Sequence, residues 1–238
     1  MKIALMVLMS ATVALAVAPD TIPAAGGNIT IQPINHATLE LTYAGKVIDI
    51  DPVAQANFEG LPAPDVILIT DIHQDHLDPS TVAKRRKNTT KTVAPAAAAS
   101  KLQNAIAIKN GETKDVDGIA IEAVPMYNLQ RGPSPGQLFH DKGRGNGYVL
   151  TLGGKRVYIA GDTECIPEMK TLKNIDVAFV PMNLPYTMPP SEAAECVKAF
   201  KPRIVYPYHY RGQNLDEFAT ALKGSGIDVR IRDWYATR

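Results

Sequence analysis

The sequence predicts an α/β protein of one domain, with β-sheets covered by helices, and three observations carry that prediction. Short strand-like segments dominate the first half. Segments of helical character are interleaved with strands in both halves. The stretch 65–70 (Asp65-Val66-Ile67-Leu68-Ile69-Thr70) has the apolar run of a strand buried on both faces. At 238 residues the chain lies at the upper end of what one domain usually holds. With 45% hydrophobic and 21% charged residues, its composition excludes wholesale disorder. Lys and Arg total 25 against 24 Asp and Glu, a formal charge of +1, so nothing electrostatic directs the chain to nucleic acid or an anionic membrane. A small-molecule substrate is the expected partner, and the sequence leaves the oligomeric state open. Two cysteines are too few for a disulfide scaffold or a Cys-rich zinc ribbon.

Residues 1–16 read as a signal peptide: one positive residue, Lys2, then a short apolar core and small residues ending in Ala14-Leu15-Ala16. The apolar stretch is shorter than the roughly 20 residues a spanning helix needs, so no stable membrane span is expected after cleavage. Export to the periplasm or beyond follows, and would permit Cys165 and Cys196 to pair. Residues 17–28, with Pro19, Pro23, Gly26 and Gly27, are expected to be a flexible leader, and residues 29–238 the folded domain.

Within that domain, strands are expected at 29–34, 38–43 and 47–51, with Ala44-Gly45-Lys46 as a hairpin turn between the last two. After the apolar strand 65–70 come a helix at 79–87, a strand at 92–94 and an Ala-rich helix at 95–104. Strands follow at 105–109, 113–116 and 119–124. The Gly- and Pro-punctuated stretch 128–146 reads as a loop, and a loop of that length inside a domain is usually functional. A second hairpin, 148–152 with 156–160, turns at Gly153-Gly154. The last third alternates strand 176–181, helix 191–200, strand 203–207, helix 215–223 and strand 228–232.

The chemistry concentrates just after the apolar strand. Asp71-Ile72-His73-Gln74-Asp75-His76 puts two imidazoles and two carboxylates into one short turn. At the carboxyl end of a buried strand such groups project into one mouth of the sheet. Without a counter-ion the carboxylates would repel each other and be costly to bury. A divalent cation removes that cost, and imidazole plus carboxylate without thiolate suits zinc, manganese or iron. The plainer alternative is an exposed polar loop. No Gly-x-Ser-x-Gly element is present, and neither Cys165 nor Cys196 has a neighbouring histidine in sequence, so a serine or cysteine nucleophile is not indicated.

This segment resembles the His-x-His-x-Asp-His motif of the metallo-β-lactamase superfamily, with Asp71 in the first His position. Ala160-Gly161-Asp162-Thr163 resembles the family's strand-end Gly-Asp-Thr, and Tyr206-Pro207-Tyr208-His209-Tyr210 its late strand-end histidine. Asn35-His36-Ala37-Thr38, Ile48-Asp49-Ile50-Asp51-Pro52 and Asn183-Leu184-Pro185-Tyr186-Thr187-Met188 resemble elements of its phospholipase D-like and ascorbate-phosphate lactonase-like branches. The resemblance runs from about residue 29 to 210. It implies a four-layer αββα sandwich, two mixed β-sheets flanked by helices. It also implies two divalent ions, zinc ahead of manganese or iron: Asp71 and His73 serving the first, Asp75, His76 and His209 the second, and Asp162 bridging them. Taken singly, Asp162 could cap a helix and His209 could be an ordinary core histidine.

Two departures matter. Asp71 in place of histidine makes the first site harder and more anionic, which favours manganese or iron or weakens occupancy. Where the family has a mid-chain histidine this chain has Asn128, so the third ligand of the first metal is His140 or Asn128, with His140 favoured because an amide is a poor zinc ligand. His36 and Asp51 are expected to orient ligands or touch substrate, and Tyr186 to line a partly apolar pocket with Tyr127, Met188 and the 131–144 loop. The implied activity is hydrolysis of an ester-type bond, a lactone or phosphodiester, by water activated on the metals, with Asp75 orienting it and moving its proton. The alternatives are a β-lactam hydrolase and a non-catalytic binding protein on the same fold, the latter favoured by Asp71 and Asn128.

Overall fold

The computed structural model describes residues 18–235, so the expected signal peptide lies outside the described residues. The chain forms two seven-stranded sheets, and each takes its strands from one contiguous half of the sequence. The first is β1 (Asp20–Ala24), β2 (Gly27–Asn35), β3 (Thr38–Tyr43), β4 (Lys46–Ile50), β5 (Val66–Leu68), β6 (Lys91–Ala94) and β7 (Ala105–Ala107), neighbours in space as in sequence. The second is β8 (Thr113–Val116), β9 (Ile119–Met126), β10 (Gly145–Leu152), β11 (Lys155–Ile159), β12 (Val177–Pro181), β13 (Ile204–Tyr208) and β14 (Asp228–Val229). In both, the first four strands pair antiparallel and the rest parallel.

Parallel pairing needs a crossover, and the crossovers supply the helices. They are α1 (Pro79–Arg85), α2 (Ala96–Ala99), α3 (Pro167–Lys170), α4 (Pro190–Phe200) and α5 (Leu215–Ala221). Side-chain alternation then sorts the strands into layers. Val66 and Leu68 face the core between the sheets, while Ile67 and Ile69 face α1 and α2 with Leu77, Val82 and Ala98. In the second sheet Val177 and Phe179 point into the shared core, and Ala178 and Val180 point outward to Met169, Val197 and Phe218 of the other three helices. Two helical layers thus enclose two sheets, the four-layer αββα sandwich expected.

The segment expected to be a leader is, in its described part, strand β1 and its turn into β2. Long-range contacts order what local composition leaves undecided: Ile22 is buried, Asp20 pairs with Arg232 at 2.7 Å, and the Tyr206 hydroxyl donates to Asp20 at 2.6 Å. Pro23 is tolerated because β1 is an edge strand. Helix α2 is also shorter than the expected 95–104, since its alanines bury little surface and Asn104, at φ 56°, turns the chain into β7. Cys165 and Cys196 are disulfide-bonded, tying the segment after Asp162 to α4.

On the outer face of the first sheet, Glu40 and Asp49 are cross-strand partners that share one guanidinium, with Arg85 Nε donating to Asp49 at 2.8 Å and Nη2 lying 3.5 Å from Glu40. Burial, then the charge of Asp49, pushes Glu40 up to about 7 despite Arg85. Its unfolded carboxyl ionises lower, so the proton the folded state holds contributes stability that is complete at acid pH and is lost as pH rises through about 7. Glu40→Gln should therefore gain stability relative to the parent by about 1–2 kcal/mol between pH 5 and pH 8, a figure already discounted for solvent screening. Urea melts at the two pH values measure it, and parallel pH profiles would refute it.

Candidate metal centre

All the candidate ligands but His140 sit on the segments that follow the ends of β5, β11 and β13. Beyond β5 the chain passes Thr70, whose carbonyl accepts from the Asn146 N–H at 2.9 Å and links the mouths of the two sheets. It then turns tightly, the N–H groups of His76 and Leu77 both donating to the His73 carbonyl. Asp162 follows β11 through Gly161, whose φ of 66° and contact with Met126 and Thr70 leave no room for a Cβ. His209 follows β13 in the left-handed region, φ 48°, with its N–H donating to the His36 carbonyl. His140 comes from the long loop and is 1% exposed.

These side chains converge as two groups of donor atoms. Asp75, His76, Asp162 and His209 form one, and Asp71, His73 and His140 the other, the atoms within each lying inside 4.8 Å of one another. Asp162 joins the groups: its Oδ2 is 3.2 Å from His76 Nε2 and 3.1 Å from His140 Nε2, and its Oδ1 is 3.3 Å from His209 Nε2. Asp75 Oδ2 lies 3.3 Å from His209 Nε2 and from His36 Nε2, and its side chain, 45% exposed, faces the opening. Asp71 Oδ2 is 2.9 Å from His73 Nδ1.

The surrounding hydrogen bonds fix which ring nitrogen faces inward. The carboxylate of buried Asp51 accepts from the Thr70 N–H at 2.7 Å and meets His76 Nδ1 at 2.8 Å, leaving His76 Nε2 toward Asp162. Asn128 donates its amide hydrogens to Glu164 and to the Tyr186 carbonyl, so its Oδ1 is the acceptor for His140 Nδ1 at 2.6 Å. Of the two candidates for the third ligand of the first group, the structure thus puts His140 among the donors and Asn128 behind it. The Tyr235 hydroxyl accepts from the Tyr210 N–H, so its own proton goes to His36 Nδ1 at 2.6 Å, and His36 directs Nε2–H at Asp75.

Electrostatics follows the geometry. Burial opposes charge on His76, but the carboxylates of Asp162 and Asp51 outweigh it and raise the ring well above its ordinary range. Burial likewise opposes ionisation of Asp162, and the rings of His209, His76 and His140 overcome it and hold the carboxyl well below its usual range. Asp75 is held low against burial by His209 and His36. Burial drops His36 to about 4, so it is neutral near pH 7. For Asp71, burial is outweighed by the His73 ring and by neighbouring cations that include Arg144, which hold it at about 2.

The sequence marks Arg144 only as part of a basic loop. It forks onto fully buried Asp71, Nε donating to Oδ1 at 3.1 Å and Nη2 to Oδ2 at 2.9 Å. Arg131 instead pairs with Glu164 and Glu192, Tyr127 hydrogen-bonds Glu168, and Met188 is packed in the core beneath α4, so these three do not line the opening. Buried Glu164, unmarked by any motif, pins the loop by accepting from the N–H groups of Leu129 and Arg131. A cavity of about 590 Å³ opens over the donors, bordered by Phe139, Leu184, Tyr186 and Arg211. Sequence reasoning did not single out Arg211, Tyr235 or Glu164; only Arg211, close to His209 in sequence, left a signal.

The donor set fits divalent cations. His76 Nε2, His140 Nε2 and Asp162 Oδ1 are buried without a hydrogen-bond partner, a costly arrangement for an apolar interior and the natural one for ligand atoms. All are nitrogen or oxygen donors, as zinc, manganese and iron accept.

A model of the β-lactamase superfamily domain matches residues 30–209. A UPF0173 metal-dependent hydrolase of Pyrococcus furiosus is 37% identical over 203 residues, 76% of this chain and 84% of that protein. Another, from Symbiobacterium thermophilum, is 31% identical over 225 residues, covering 87% and 94%. Among solved structures, a Parabacteroides distasonis protein assigned as a metal-dependent hydrolase superposes with a TM-score of 0.85 at 46% identity, over 91% of this chain and 98% of that one. The metallo-β-lactamase fold protein YhfI of Bacillus subtilis, 13% identical, covers 84% of this chain and 89% of its own with a TM-score of 0.68, a likeness of fold.

Proposed function

Because this chain belongs to the β-lactamase superfamily, and its curated relatives are metal-dependent hydrolases, we propose that it is an exported hydrolase of an ester-type bond, a lactone, phosphodiester or close relative, working with two divalent cations. The observation that carries the reading is the meeting of both donor groups on Asp162. Asp71, His73 and His140 would hold one cation, Asp75, His76 and His209 the other, with Asp162 shared. Zinc leads the candidates, and the carboxylate of Asp71, harder than imidazole, keeps manganese and iron in contention. Bound there, the cations would supply Lewis acidity and lower the pKa of a water molecule.

The protein supplies position and proton handling. Asp51 and Asn128 lock His76 and His140 with their Nε2 atoms inward, so the donors need no reorganisation. Asp75, half-exposed at the opening and braced by His36, is placed to orient the attacking water and take its proton. The cavity bounded by Phe139, Leu184 and Tyr186 excludes part of the solvent and receives the ester. Export is supported by the apolar N-terminus and by the Cys165–Cys196 bond, since disulfides persist in oxidising compartments. Among the described residues no helix is long and apolar enough to cross a membrane.

The test is metal content by elemental analysis together with hydrolysis of lactone, phosphodiester and β-lactam panels before and after chelation. The expected result is bound zinc, manganese or iron, and turnover of a lactone or phosphodiester that a chelator abolishes and added metal restores. His73→Ala, the control, should lose the metal of its own group and turnover with it. Metal-free protein at physiological zinc and manganese would overturn the reading, and turnover confined to β-lactams would overturn the substrate class.

A further inference from the structure

Arg211 stands two residues past His209, exposed on the rim of the candidate site. Among the described residues it is the one arginine whose guanidinium has neither a carboxylate partner nor a hydrogen bond; the others each hold a carboxylate or a backbone carbonyl. It is nevertheless placed. Its guanidinium carbon lies 5.7 Å from the centre of the Tyr235 ring, and the Tyr235 hydroxyl is anchored to the Tyr210 N–H and to His36.

The position is strategic because Arg211 borders both openings beside Asp75 and His36. One is the cavity of about 590 Å³ over the donors, the other a cavity of about 330 Å³ lined also by Asn35, Val53 and Gln55. Part of the lining of the larger cavity is apolar. Phe139 and Tyr186 meet edge to face at 5.0 Å, and Leu184 and Tyr186 are 40% and 46% exposed, unusual for large apolar side chains. The acidic side chains that share its cavities are engaged elsewhere: Asp75 by His36 and His209, Asp162 by His76, His140 and His209. An unpaired guanidinium and an apolar surface therefore line one cavity together with the donors.

From this, and resting on the hydrolase reading above, we propose that Arg211 is the specificity-determining residue of the site, recognising an oxyanion of the substrate, a carboxylate or phosphate away from the scissile bond. The other end of the substrate, an acyl or aryl group, lies against Phe139, Leu184 and Tyr186. The natural substrate is accordingly an amphipathic anion, and uncharged esters are poor ones. A planar fork suits either oxyanion, and lysine would supply charge without the paired donors.

Calorimetric titration of the metal-loaded protein tests this without requiring turnover. The probes are N-hexanoylglycine, hexyl phosphate and the uncharged N-hexanoylglycinamide. Arg211→Met should weaken one or both anions by on the order of ten-fold or more, the effect of removing a charge-assisted hydrogen bond, and leave the amide unchanged. Whichever anion is affected identifies the group, Arg211→Lys should recover part of the affinity, and bound metal should stay constant. Equal weakening of the amide, no weakening of either anion, or no binding of either anion to the parent protein would each overturn the inference. Anion binding that depends on Arg211 in a protein that cleaves no ester would uphold it and defeat the proposed function. Turnover of neutral esters indifferent to Arg211 would do the reverse.

Discussion

Asp162→Asn should strip metal from both donor groups at once. The carboxylate is 2% exposed and lies within 3.3 Å of imidazoles from either group, so a neutral amide of the same size removes the one charge they share. Outer-shell substitutions typically cost 10–100-fold in metal affinity. Loss of a shared ligand should exceed that, on the order of a hundred-fold or more, with kcat/KM falling at least in parallel. His73→Ala should deplete only the group it belongs to. Elemental analysis after dialysis distinguishes the two patterns, and a full metal complement in Asp162→Asn would show that Asp162 is not shared.

Arg144→Met should destabilise the metal-free protein by about 2–3 kcal/mol, because the buried Asp71 carboxylate loses its guanidinium and keeps only the His73 ring. Asp71 is completely buried, and both its oxygens take hydrogen bonds from Arg144. A cation at Asp71, His73 and His140 would restore the missing positive charge, so added zinc or manganese should rescue most of the deficit. Urea melts with and without metal measure both quantities. An equal deficit under the two conditions would mean that the cation does not sit beside Asp71.

What could be read from the sequence was local chemistry or periodic pattern. The six residues from Asp71 to His76 announce themselves because four ligand types share one turn. Asp162 and His209 could be paired with them because each follows an apolar strand, and strand ends in a sandwich share a rim. What escaped depends on the course of loops. Arg144 meets Asp71 across 73 positions, Glu164 holds Leu129 across 35, and Tyr235 reaches His36 across 199. No spacing rule spans such distances. The misread leader has the same cause: Gly26 does mark a turn, but Pro23 lies within β1, and Asp20 is fixed by Arg232, 212 positions away. His140 was separable from Asn128 by donor chemistry alone, whereas the hydrogen bond between them became visible only with the loop in place.

The clean division of strands between chain halves has a practical corollary. Asp71, His73, Asp75 and His76 follow a strand of the amino-terminal sheet, while His140, Asp162 and His209 follow strands of the carboxy-terminal one, and among the described residues the only covalent link between the sheets is the short crossing from β7 to β8. An ion there is a clasp between two pieces that exchange no strand. Severed at that crossing, the pieces would each carry an incomplete coordination set, and the ion would strengthen a reunion that the shared apolar core begins. The scaffold therefore lends itself to a split-protein sensor of free transition metal, in which complementation itself is the signal.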